Sequence, residues 1–474
     1  MPLENPKSEF SKWYDEVILR ADIVDKRTPV KGANVLLPNG YEIWEKMKYH
    51  LNQDLKRTKH KFAYFPLFIP EDYLTRETEH FAGFTPEVAW VTHVGDTKLD
   101  KKVALRPTSE TIMYDMFAKW LHSHAELPMK YSQWCNIVRW DTSETRPLLR
   151  DREFLWNESH TVHATREEAE EQLLESMRIY QSLFDKMAIT SLVVKRPGFD
   201  TFAGADYSIA YDMPMPDGKV LQIATTHMLG DNFSKAFNVK FLDTDGETKY
   251  AYQTSYGLTT RLIAALISVH GDDQGLVIPP EIAPVQLVIV PITFKDDTER
   301  VLEASEKLYQ ELVASGFDVE IDTRDQYTPG WKFSEWEMRG VPIRIEFGPR
   351  DLENNMVVLV RRDTGVKTSV NQKELIDTLH QMLHDIQITL KHRSEQLLQD
   401  YIRCASSYDE IKNLMTDGKF IIKTGWCESI TCADDLKDNF SLQIRGPELG
   451  TENLKQNCVV CKTPGLQVYV AAAY

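Results

Sequence analysis

Hydrophobic positions along the chain recur at spacings that predict a series of helices and strands. Residues 37–60 contain four apolar positions that are four residues apart. This spacing is typical of a helix with one buried stripe, because side chains at i and i+4 lie on the same face. The positions in this stripe are Ile43, Met47, Leu51 and Leu55.

Two further segments have the pattern of amphipathic helices, and a third has that of a strand. Residues 8–20 and 166–187 are predicted to be helical, and the second has a strongly acidic face that we expect to be solvated. The apolar run at residues 62–70 predicts a strand. Pro66 within it indicates an edge strand or an interface, because proline cannot donate to a sheet ladder.

Residues 103–121 are predicted to form a strand, a turn at Pro107 and a helix capped by Thr108 or Ser109. Thr108 and Glu110 have two interpretations. They either cap the helix and do nothing more, or they provide a hydroxyl and a carboxylate for a cationic amine.

Residues 136–165 contain two short β-like runs joined by a polar turn. Paired strands place alternate side chains on one face, so arginines, carboxylates and aromatic rings are expected to converge there. Guanidiniums bind phosphates, carboxylates receive amines and aromatic rings stack on bases, so the set suits a nucleotide beside a small zwitterion. The alternative is a charged surface hairpin whose arginines are solvated or paired with Glu144 and Asp151. The converging positions are Arg139, Asp141, Phe154, Trp156 and Glu158.

A second candidate anion site lies where a strand at residues 251–255 passes through Gly257 into a helix at residues 259–269. Arg261 lies in the first turn of this helix, and a helix N-terminus attracts anions. The alternative is an arginine whose stem packs on the core while its head remains in water.

A proline-rich break at residues 278–284 is followed by strands and helices in alternation. This part is an α/β unit of about 100 residues, large enough to be a separate domain. We expect its basic residues to meet a polyanion, the alternative being an ordinary basic surface. These residues are Arg339, Arg344, Arg350, Arg361, Arg362 and Lys367.

Composition limits the class of protein. The 474 residues have a net charge of −16, which argues against indiscriminate nucleic-acid binding. No apolar run approaches the length of about 18 residues that spans a bilayer, and the first ten residues lack a signal-peptide core. We therefore expect a cytoplasmic protein with no membrane segment.

The carboxy-terminal region carries two close pairs of cysteines. Their spacing, with four and two intervening residues, allows tetrahedral thiolate coordination of a structural Zn²⁺ ion, the alternative being four unrelated thiols. Cys135 and Cys404 lack such neighbours and are expected in the core. The candidate ligands are Cys427, Cys432, Cys458 and Cys461.

Five pieces of sequence, taken in order, resemble one family. They are LRPTSET, VRWD with REFLW, QTSYGLTTR, WKFSEWEMRGVPIRIEFGPRD and the terminal cysteine pairs. In this order they resemble the class II aminoacyl-tRNA synthetases, specifically the prolyl-tRNA synthetases of the archaeal/eukaryotic type. The absence of a GxGxxG motif or a P-loop agrees with this resemblance.

The resemblance implies an α+β fold in three domains. Residues 1–283 are expected to form the catalytic domain, an antiparallel sheet flanked by helices. Residues 284–385 are expected to form an α/β anticodon-binding domain, and residues 386–474 a small α/β zinc-binding domain. Pro66 is expected at the interface of a homodimer, and Tyr474 is expected to reach back toward the catalytic domain.

The resemblance also implies roles for individual residues. Arg139 and Arg261 are expected to be catalytic, and Glu87 to belong to a loop that closes over the substrates. The expected ATP-binding residues are Arg139, Asp141, Arg150, Phe154, Gln222, Thr225, Thr260 and Arg261. The expected proline-binding residues are Phe84, Thr108, Glu110, Arg139, Trp156, Phe202 and His227. The expected anticodon-binding residues are Glu337, Arg344, Arg350 and Asp351.

The implied reaction is the activation of L-proline with ATP and Mg²⁺ to prolyl-adenylate, followed by transfer to the 3′ end of tRNA(Pro). Only about ninety residues separate the second and third class II motifs, too few for an inserted editing domain. Alanine and cysteine, which also fit a proline pocket, are expected to be misactivated. Two positions depart from the family pattern: Asp141 replaces the usual glutamate, and Asp151 lies where relatives can have threonine.

Three other interpretations explain parts of the sequence. A different class II synthetase, such as a threonyl enzyme, is disfavoured because the cysteines lie at the tail. A catalytically inactive paralogue is disfavoured because Thr108, Glu110, Arg139 and Arg261 are all present. A zinc-containing nucleic-acid-binding module would explain the tail alone.

Overall fold

A computed structural model describes residues 3–74, 87–140, 144–294 and 296–474 of the chain. Three regions follow one another, each built on its own main sheet. Helices of the first region are α1 (Phe10–Arg20), α2 (Pro38–Arg57), α3 (Glu110–Trp120), α4 (Arg166–Lys186), α5 (Asn232–Phe237) and α6 (Arg261–His270). Strands of the first region are β1 (Val24–Asp25), β2 (Val35–Leu36), β3 (Lys61–Phe62), β4 (Phe68–Pro70), β5 (Trp90–Val94), β6 (Thr97–Leu105), β7 (Met129–Val138), β8 (Glu153–His163), β9 (Leu192–Lys195), β10 (Tyr207–Pro214), β11 (Val220–Gly230), β12 (Lys240–Leu242), β13 (Thr248–Tyr250) and β14 (Tyr252–Thr259).

The main sheet of the first region has seven strands in the order β3-β7-β8-β14-β11-β10-β9. All neighbouring pairs are antiparallel except β3 with β7. Helices α2 and α4 pack together behind the sheet, and α4 contacts β8, β11 and β14. The expected antiparallel sheet flanked by helices is therefore confirmed.

The hydrophobic stripe predicted for α2 is buried as expected. Ile43, Met47, Leu51 and Leu55 are all fully inaccessible to solvent. They belong to the largest core cluster, which also contains apolar side chains of α4 and α6. The 3.6-residue periodicity therefore identified both the helix and its buried face.

The prediction of one continuous strand at residues 62–70 is wrong. The structure has two short strands there, β3 and β4, which belong to different sheets. Pro66 lies between them, and it has no N–H group with which to continue a ladder. The fully buried Arg106 bridges the gap instead, because its side chain donates to the Phe65 carbonyl at 2.8 Å and its backbone N–H to the Leu67 carbonyl at 3.0 Å.

The second region has a five-stranded mixed sheet with helices around it. The strands are β15 (Leu287–Pro291), β16 (Val319–Ile321), β17 (Ile343–Phe347), β18 (Met356–Arg361) and β19 (Lys367–Asn371). The helices are α7 (Thr298–Ala314), α8 (Pro329–Arg339), α9 (Pro349–Asn354) and α10 (Leu375–Tyr401). Strands β16, β15 and β17 are parallel, whereas β18 and β19 are antiparallel to their neighbours. The predicted α/β organisation is confirmed.

The third region follows the long helix α10 and contains a smaller mixed sheet. Its strands are β20 (Ile402–Cys404), β21 (Ile421–Trp426), β22 (Gln443–Gly446), β23 (Lys455–Asn457) and β24 (Pro464–Ala471). Its helices are α11 (Tyr408–Asp417) and α12 (Ile430–Phe440).

The third region docks against the edge of the main sheet of the first region. The backbone N–H of Lys195, in the edge strand β9, donates to the Pro447 carbonyl at 3.0 Å. The N–H of Val220 donates to the Ala472 carbonyl at 2.8 Å, and the Tyr474 N–H donates back to the Val220 carbonyl at 3.2 Å. These bonds bring the end of the chain beside the main sheet.

Candidate active site and metal site

A cavity of about 390 Å³ lies on one face of the main sheet, above strands β8, β11 and β14. These strands are adjacent, so side chains that alternate along them meet on this face. The cavity collects most residues predicted for the ATP and proline sites. The predicted residues that line it are Thr108, Glu110, Arg139, Phe154, Trp156, Phe202, Gln222, Thr225, His227 and Arg261.

Two arginines at one end of the cavity are oriented by backbone carbonyl groups. Arg139 directly follows β7, and its Nε donates to the Pro107 carbonyl at 3.0 Å. Arg261 is the first residue of α6, and its Nε donates to the Leu149 carbonyl at 2.9 Å. Backbone carbonyl groups therefore help to orient both guanidiniums.

Positive charge is concentrated at this end. Burial, together with the charges of Arg139 and Arg150, lowers the pKa of Arg261 to about 10, although Asp151 opposes the shift. A second cavity of about 460 Å³ adjoins the first and is lined by Arg139, Arg150, Thr260 and Arg261. Three guanidiniums around one space form a site for a polyanion such as a phosphate chain.

Aromatic rings lie beside these guanidiniums. The Arg139 guanidinium carbon is 5.7 Å from the ring centroid of Phe154 and 5.8 Å from that of Trp156. Phe154 lines both cavities, and Trp156 lines the first. The arginine end therefore offers charge for phosphates together with a flat face for a base.

The other end of the cavity combines a carboxylate with aromatic walls. The Thr108 hydroxyl donates to the carboxylate of Glu110, and both side chains are buried. Phe202 and His227 have ring centroids 4.9 Å apart. Burial lowers the pKa of His227 to about 3, so this imidazole is neutral near pH 7. This end suits a small cationic amine on an apolar body.

The predicted N-cap position is correct, but the side-chain capping bond is not formed. Ser109 is the residue before α3, but its hydroxyl makes no capping hydrogen bond. The Thr108 hydroxyl instead contacts Glu110, whose carboxylate faces the cavity. The interpretation of Thr108 and Glu110 as a polar pair at a binding site therefore describes the geometry better than the capping interpretation.

Sequence reasoning left some cavity residues without a role. Glu158 accepts a hydrogen bond from the Gln133 amide at 2.5 Å and lies 3.1 Å from Nε2 of His160. Nδ1 of His160 is 2.8 Å from the Tyr114 hydroxyl. Burial opposes protonation of His160, but its bond to Glu158 and the charges of Glu110 and Glu158 raise its pKa. The alternation along β8 is a signal that could have identified His160, which follows Glu158 by two positions.

Three residues predicted to contact the substrates are not among the described residues that line the two cavities. Phe84 and Asp141 lie outside the described residues. Glu87 is exposed, and its carbonyl accepts from the Trp140 N–H at 3.2 Å. Its side chain is not among the described residues that line either cavity.

The residues predicted to bind an anticodon lie in the second region. Glu337, on α8, forms an ion pair with Arg344, on β17, at 2.7 Å. Arg350 and Asp351 belong to α9, which begins soon after β17, and the Asp351 carboxylate accepts from the Gly348 N–H at 2.9 Å. The structure therefore places two of the four residues in direct contact and the other two on the next element.

The basic residues that we predicted to meet a polyanion are not all exposed. The side chains of Arg344 and Arg362 are only 7% and 3% exposed. Arg344 pairs with Glu337 and Glu346, and Arg362 pairs with Asp272 of the first region. Burial of these charges is possible because each has a carboxylate partner.

The four predicted metal ligands converge in the third region. Their sulfur atoms all lie within 4.8 Å of one another, and Sγ of Cys427 is 3.6 Å from that of Cys432 and 3.5 Å from that of Cys461. A tetrahedral Zn²⁺ ion with Zn–S bonds of about 2.3 Å separates its sulfurs by about 3.8 Å. The four thiols therefore fit a structural zinc site. The fourth thiol of the group is that of Cys458.

The remaining two cysteines differ from each other. Cys135 is buried as expected, and the Trp156 indole N–H lies 3.0 Å from its sulfur. Cys404 is exposed, so the expectation that it belongs to the core is wrong. It lies on β20, the edge strand of the third sheet, where a side chain has no neighbouring strand on one side.

Comparisons with known protein families match all three regions. Residues 90–270 match the class II core domain of tRNA synthetases (G, H, P, S and T). Residues 286–382 match an anticodon-binding domain, and residues 408–474 match the C-terminal domain of prolyl-tRNA synthetases. Among the described residues, no helix is both long and apolar enough to cross a bilayer.

Whole-length relatives support the same assignment. The chain is 46% identical to the proline–tRNA ligase of Natranaerobius thermophilus, covering 99% of this chain and 97% of the relative. It is 43% identical to proline–tRNA ligase 2 of Clostridioides difficile, with the same coverage. It is also 43% identical to the proline–tRNA ligase of Pyrococcus abyssi, over 95% of each chain. On this evidence the chain belongs to the proline–tRNA ligase family of the class II aminoacyl-tRNA synthetases.

Proposed function

We propose that the two adjoining cavities bind ATP and L-proline side by side, and that the chain joins them into prolyl-adenylate before transferring proline to the 3′ end of tRNA(Pro). The observation that carries this proposal is the polarity of the site. Arg139, Arg150 and Arg261 all line the second cavity, whereas the buried carboxylate of Glu110 and the rings of Phe202 and His227 line only the first. This order suits a triphosphate and a cyclic amino acid whose carboxylate points toward the phosphates.

In the proposed first step the proline carboxylate attacks the α-phosphorus of ATP in line and pyrophosphate leaves. Arg139 and Arg261 neutralise the charge that develops on the phosphate oxygens. Mg²⁺, bound with ATP, would supply further neutralisation of the phosphates. The protein contributes mainly by holding the reacting atoms close together, so no nucleophilic side chain is required.

The nucleotide is proposed to lie along the arginine end. Phe154 provides the face on which adenine stacks, and Arg150 contacts the outer phosphates. Gln222 and Thr225 line the first cavity and Thr260 the second, which supports contacts with different parts of one extended ligand. Asp141 remains a proposed ATP-binding residue on the family resemblance alone.

The amino acid is proposed to lie at the other end. Thr108 and Glu110 receive the imino group, and Arg139 meets the carboxylate. Trp156, Phe202 and His227 surround the ring, and Phe84 completes the set by resemblance. A pocket of this kind separates small apolar side chains by only about 1 to 3 kcal/mol, so we propose that alanine and cysteine are also activated.

We propose that the chain has no editing activity of its own. Between β8 and β14 the chain forms α4, α5 and β9 to β13, and three of these strands belong to the main sheet. The residues between β8 and β14, all of which the structure describes, therefore belong to the first region itself and form no separate domain that could hydrolyse a mischarged tRNA. Purified protein is therefore expected to leave alanyl-tRNA(Pro) intact, and its deacylation would contradict the proposal.

The transfer step requires recognition of tRNA(Pro), which we assign to the second region. Arginine binds the edge of a guanine bidentately, and carboxylates accept its amino and imino protons. Glu337, Arg344, Arg350 and Asp351 have these chemistries. We further propose domain boundaries at residues 283/284 and 385/386, the second of which lies within the long helix α10, and a structural Zn²⁺ ion on the four clustered cysteines.

A homodimer is also proposed, with Pro66 at its interface. Exposed apolar side chains flank this proline: Phe62 is 41%, Tyr64 70% and Phe68 52% exposed. Exposed aromatic side chains so close together in sequence are consistent with an interaction surface at this segment. Sedimentation equilibrium of the wild type and of Tyr64→Glu tests the interface. A cytoplasmic location is proposed from the family alone.

The experiment that tests the proposed reaction is amino-acid-dependent ATP–pyrophosphate exchange with proline, alanine, cysteine and threonine. Strong exchange with proline and weaker exchange with alanine and cysteine is expected. Exchange with threonine in place of proline would identify a different class II specificity. No exchange with any of the four, in folded and zinc-loaded protein, would favour an inactive tRNA-binding paralogue.

A further inference from the structure

A network of buried charges connects the third region to the candidate nucleotide site. Asp212, on β10, is fully buried, and the side chain of Arg445, on β22, is 5% exposed. Nε and Nη2 of Arg445 donate to the two carboxylate oxygens of Asp212 at 2.6 and 2.8 Å. This bidentate pair is the strongest geometry available to an arginine and a carboxylate.

The same carboxylate holds a second arginine that belongs to the cavity. Nη2 of Arg196 donates to Asp212 at 3.3 Å and also to the side-chain oxygen of Gln222. Arg196 and Gln222 both line the 390 Å³ cavity, and Gln222 is a proposed ATP-binding residue. Nη1 of Arg196 is buried without a hydrogen-bond partner among the described residues, so this guanidinium retains a donor.

A glycine next to Arg445 allows the backbone of the third region to lie close to strand β9. Gly446 follows Arg445 directly, and a Cβ atom there would lie only 1.9 Å from the Lys195 carbonyl oxygen. Its φ of +109° is also in the region that favours glycine. The chain therefore lies against the edge of the main sheet at the position from which Arg445 reaches Asp212.

Electrostatics are consistent with a fixed, ionised network. Burial opposes ionisation of Asp212, but the neighbouring Arg445 and Arg196 hold its pKa below the ordinary value. A buried carboxylate between two arginines has little freedom to reorient, because each alternative position leaves a charge unpaired.

We propose that Arg445 is a positioning residue for the nucleotide site, which acts through Asp212 to hold Arg196 and Gln222 in place for ATP. The third region thereby completes the catalytic cavity as well as carrying the cysteine cluster. This inference deepens the proposed function and rests on it for the identity of the ligand. Among the described residues, Arg445 itself is not one that lines the cavity, so its effect is indirect.

The test compares ATP affinity, measured by calorimetry without proline or tRNA, in wild type and in variants that fold. Removing Arg445 alone leaves Asp212 short of a partner and risks misfolding. The main variant is therefore the double substitution Asp212→Leu with Arg445→Met, which removes both charges of the pair and leaves Asp200, 3.6 Å from Arg196, as the remaining carboxylate partner of that arginine. Arg445→Lys is a second variant, because lysine keeps the charge without the bidentate fork.

A matched control removes a different contact with the first region and leaves the Arg445–Asp212 pair intact. The Tyr401 hydroxyl donates to the Pro216 carbonyl at 3.3 Å, a contact between α10 and the first region that does not involve Asp212. Tyr401→Phe removes this bond. It is expected to leave ATP affinity within twofold of wild type.

We expect the dissociation constant for ATP to rise at least fivefold in the double variant and in Arg445→Lys, and the KM for proline to change by less than twofold. The inference would be overturned if the dissociation constant for ATP rose less than fivefold, or if the KM for proline rose by the same factor as that constant. It would also be overturned if Tyr401→Phe weakened ATP binding as much as the other variants do, or if the wild type bound no ATP. Absence of proline-dependent exchange in a wild type that binds ATP would instead refute the proposed reaction and leave the positioning result standing.

Discussion

The guanidinium of Arg362 forms two hydrogen bonds with the carboxylate of Asp272, at 2.7 and 2.6 Å. Nε of the same arginine donates to the Glu337 carbonyl at 2.9 Å. Asp272 lies two residues beyond the end of α6, the helix that begins at Arg261. The ion pair therefore ties the segment that carries Glu337 to the helix that carries a candidate catalytic arginine.

Replacing Arg362 with alanine is expected to lower the free energy of unfolding by about 1.5 to 3 kcal/mol, the range for hydrogen bonds to charged groups. Because the pair joins the two regions, the variant should also lose more activity in tRNA charging than in ATP–pyrophosphate exchange. Urea unfolding and both assays measure this. Arg300→Ala is the control, since Arg300 is half exposed and its partners among the described residues, Asp297 and Glu353, belong to the second region. Equal losses in both assays would contradict the coupling.

Replacing Arg261 with glutamine is expected to separate activity from stability. The pKa of Arg261 is lowered by burial and by Arg139 and Arg150, so removing one of three clustered charges should not destabilise the ligand-free protein. The rate constant kcat/KM of ATP–pyrophosphate exchange should fall by about 100-fold or more, as for other groups that stabilise developing charge. Calorimetric melting and the exchange assay test both parts. Arg27→Ala, at an exposed arginine, is the control.

Replacing Cys458 with serine is expected to remove zinc from the protein. Cys458 is fully buried within the cysteine cluster, and loss of one thiolate leaves the tetrahedral set incomplete. Zinc content by mass spectrometry should fall from one equivalent toward zero, and the third region should lose protection from proteolysis. Cys404→Ser, at an exposed thiol outside the cluster, should retain full zinc content. Full zinc content in Cys458→Ser would reject the site.

Acidification is expected to destabilise the protein through three buried histidines whose pKa values are lowered, whereas His160, whose pKa is raised, opposes the effect. Burial lowers the pKa of His163, His227 and His270 to about 3, so in the folded state they stay neutral below pH 6.5. The unfolded chain binds protons there with an ordinary pKa of about 6.5, so stability falls as pH decreases from 7 to 5.5.

His270→Gln tests this effect at one site. The side chain of His270 contacts the Met187 carbonyl at 3.0 Å, and a glutamine amide can replace that donor. Between pH 7 and pH 5.5 the free energy of unfolding should fall in both proteins. The fall should be about 1.3 kcal/mol smaller in His270→Gln than in wild type. Urea unfolding at several pH values measures the difference. His392→Gln, at a side chain that is 74% exposed, should show the wild-type pH dependence.

Local sequence patterns predicted the parts of the structure that depend on neighbouring positions. The four-residue spacing in α2 identified its buried stripe, and alternation along β8 predicted that Phe154, Trp156 and Glu158 share a face. Cysteine spacing predicted a cluster that the fold brings within 4.8 Å. The same reasoning failed for the strand predicted at residues 62–70, because β3 pairs with β7 and β4 with β6, and both of these partners are distant in the chain.

The sequence by itself predicted the buried stripe of α2, the shared face of β8 and the cysteine cluster, because residue type and short-range period carry that information, whereas the α+β fold in three domains and the roles of the site residues came from the family resemblance. Only the tertiary structure decided which charges pair. The chain has 55 basic and 71 acidic residues, and nothing local selects Asp212 for Arg445 or Asp272 for Arg362. Those partners are 233 and 90 positions apart, and they meet because packing of the three regions buries them where an unpaired charge is too unstable to persist.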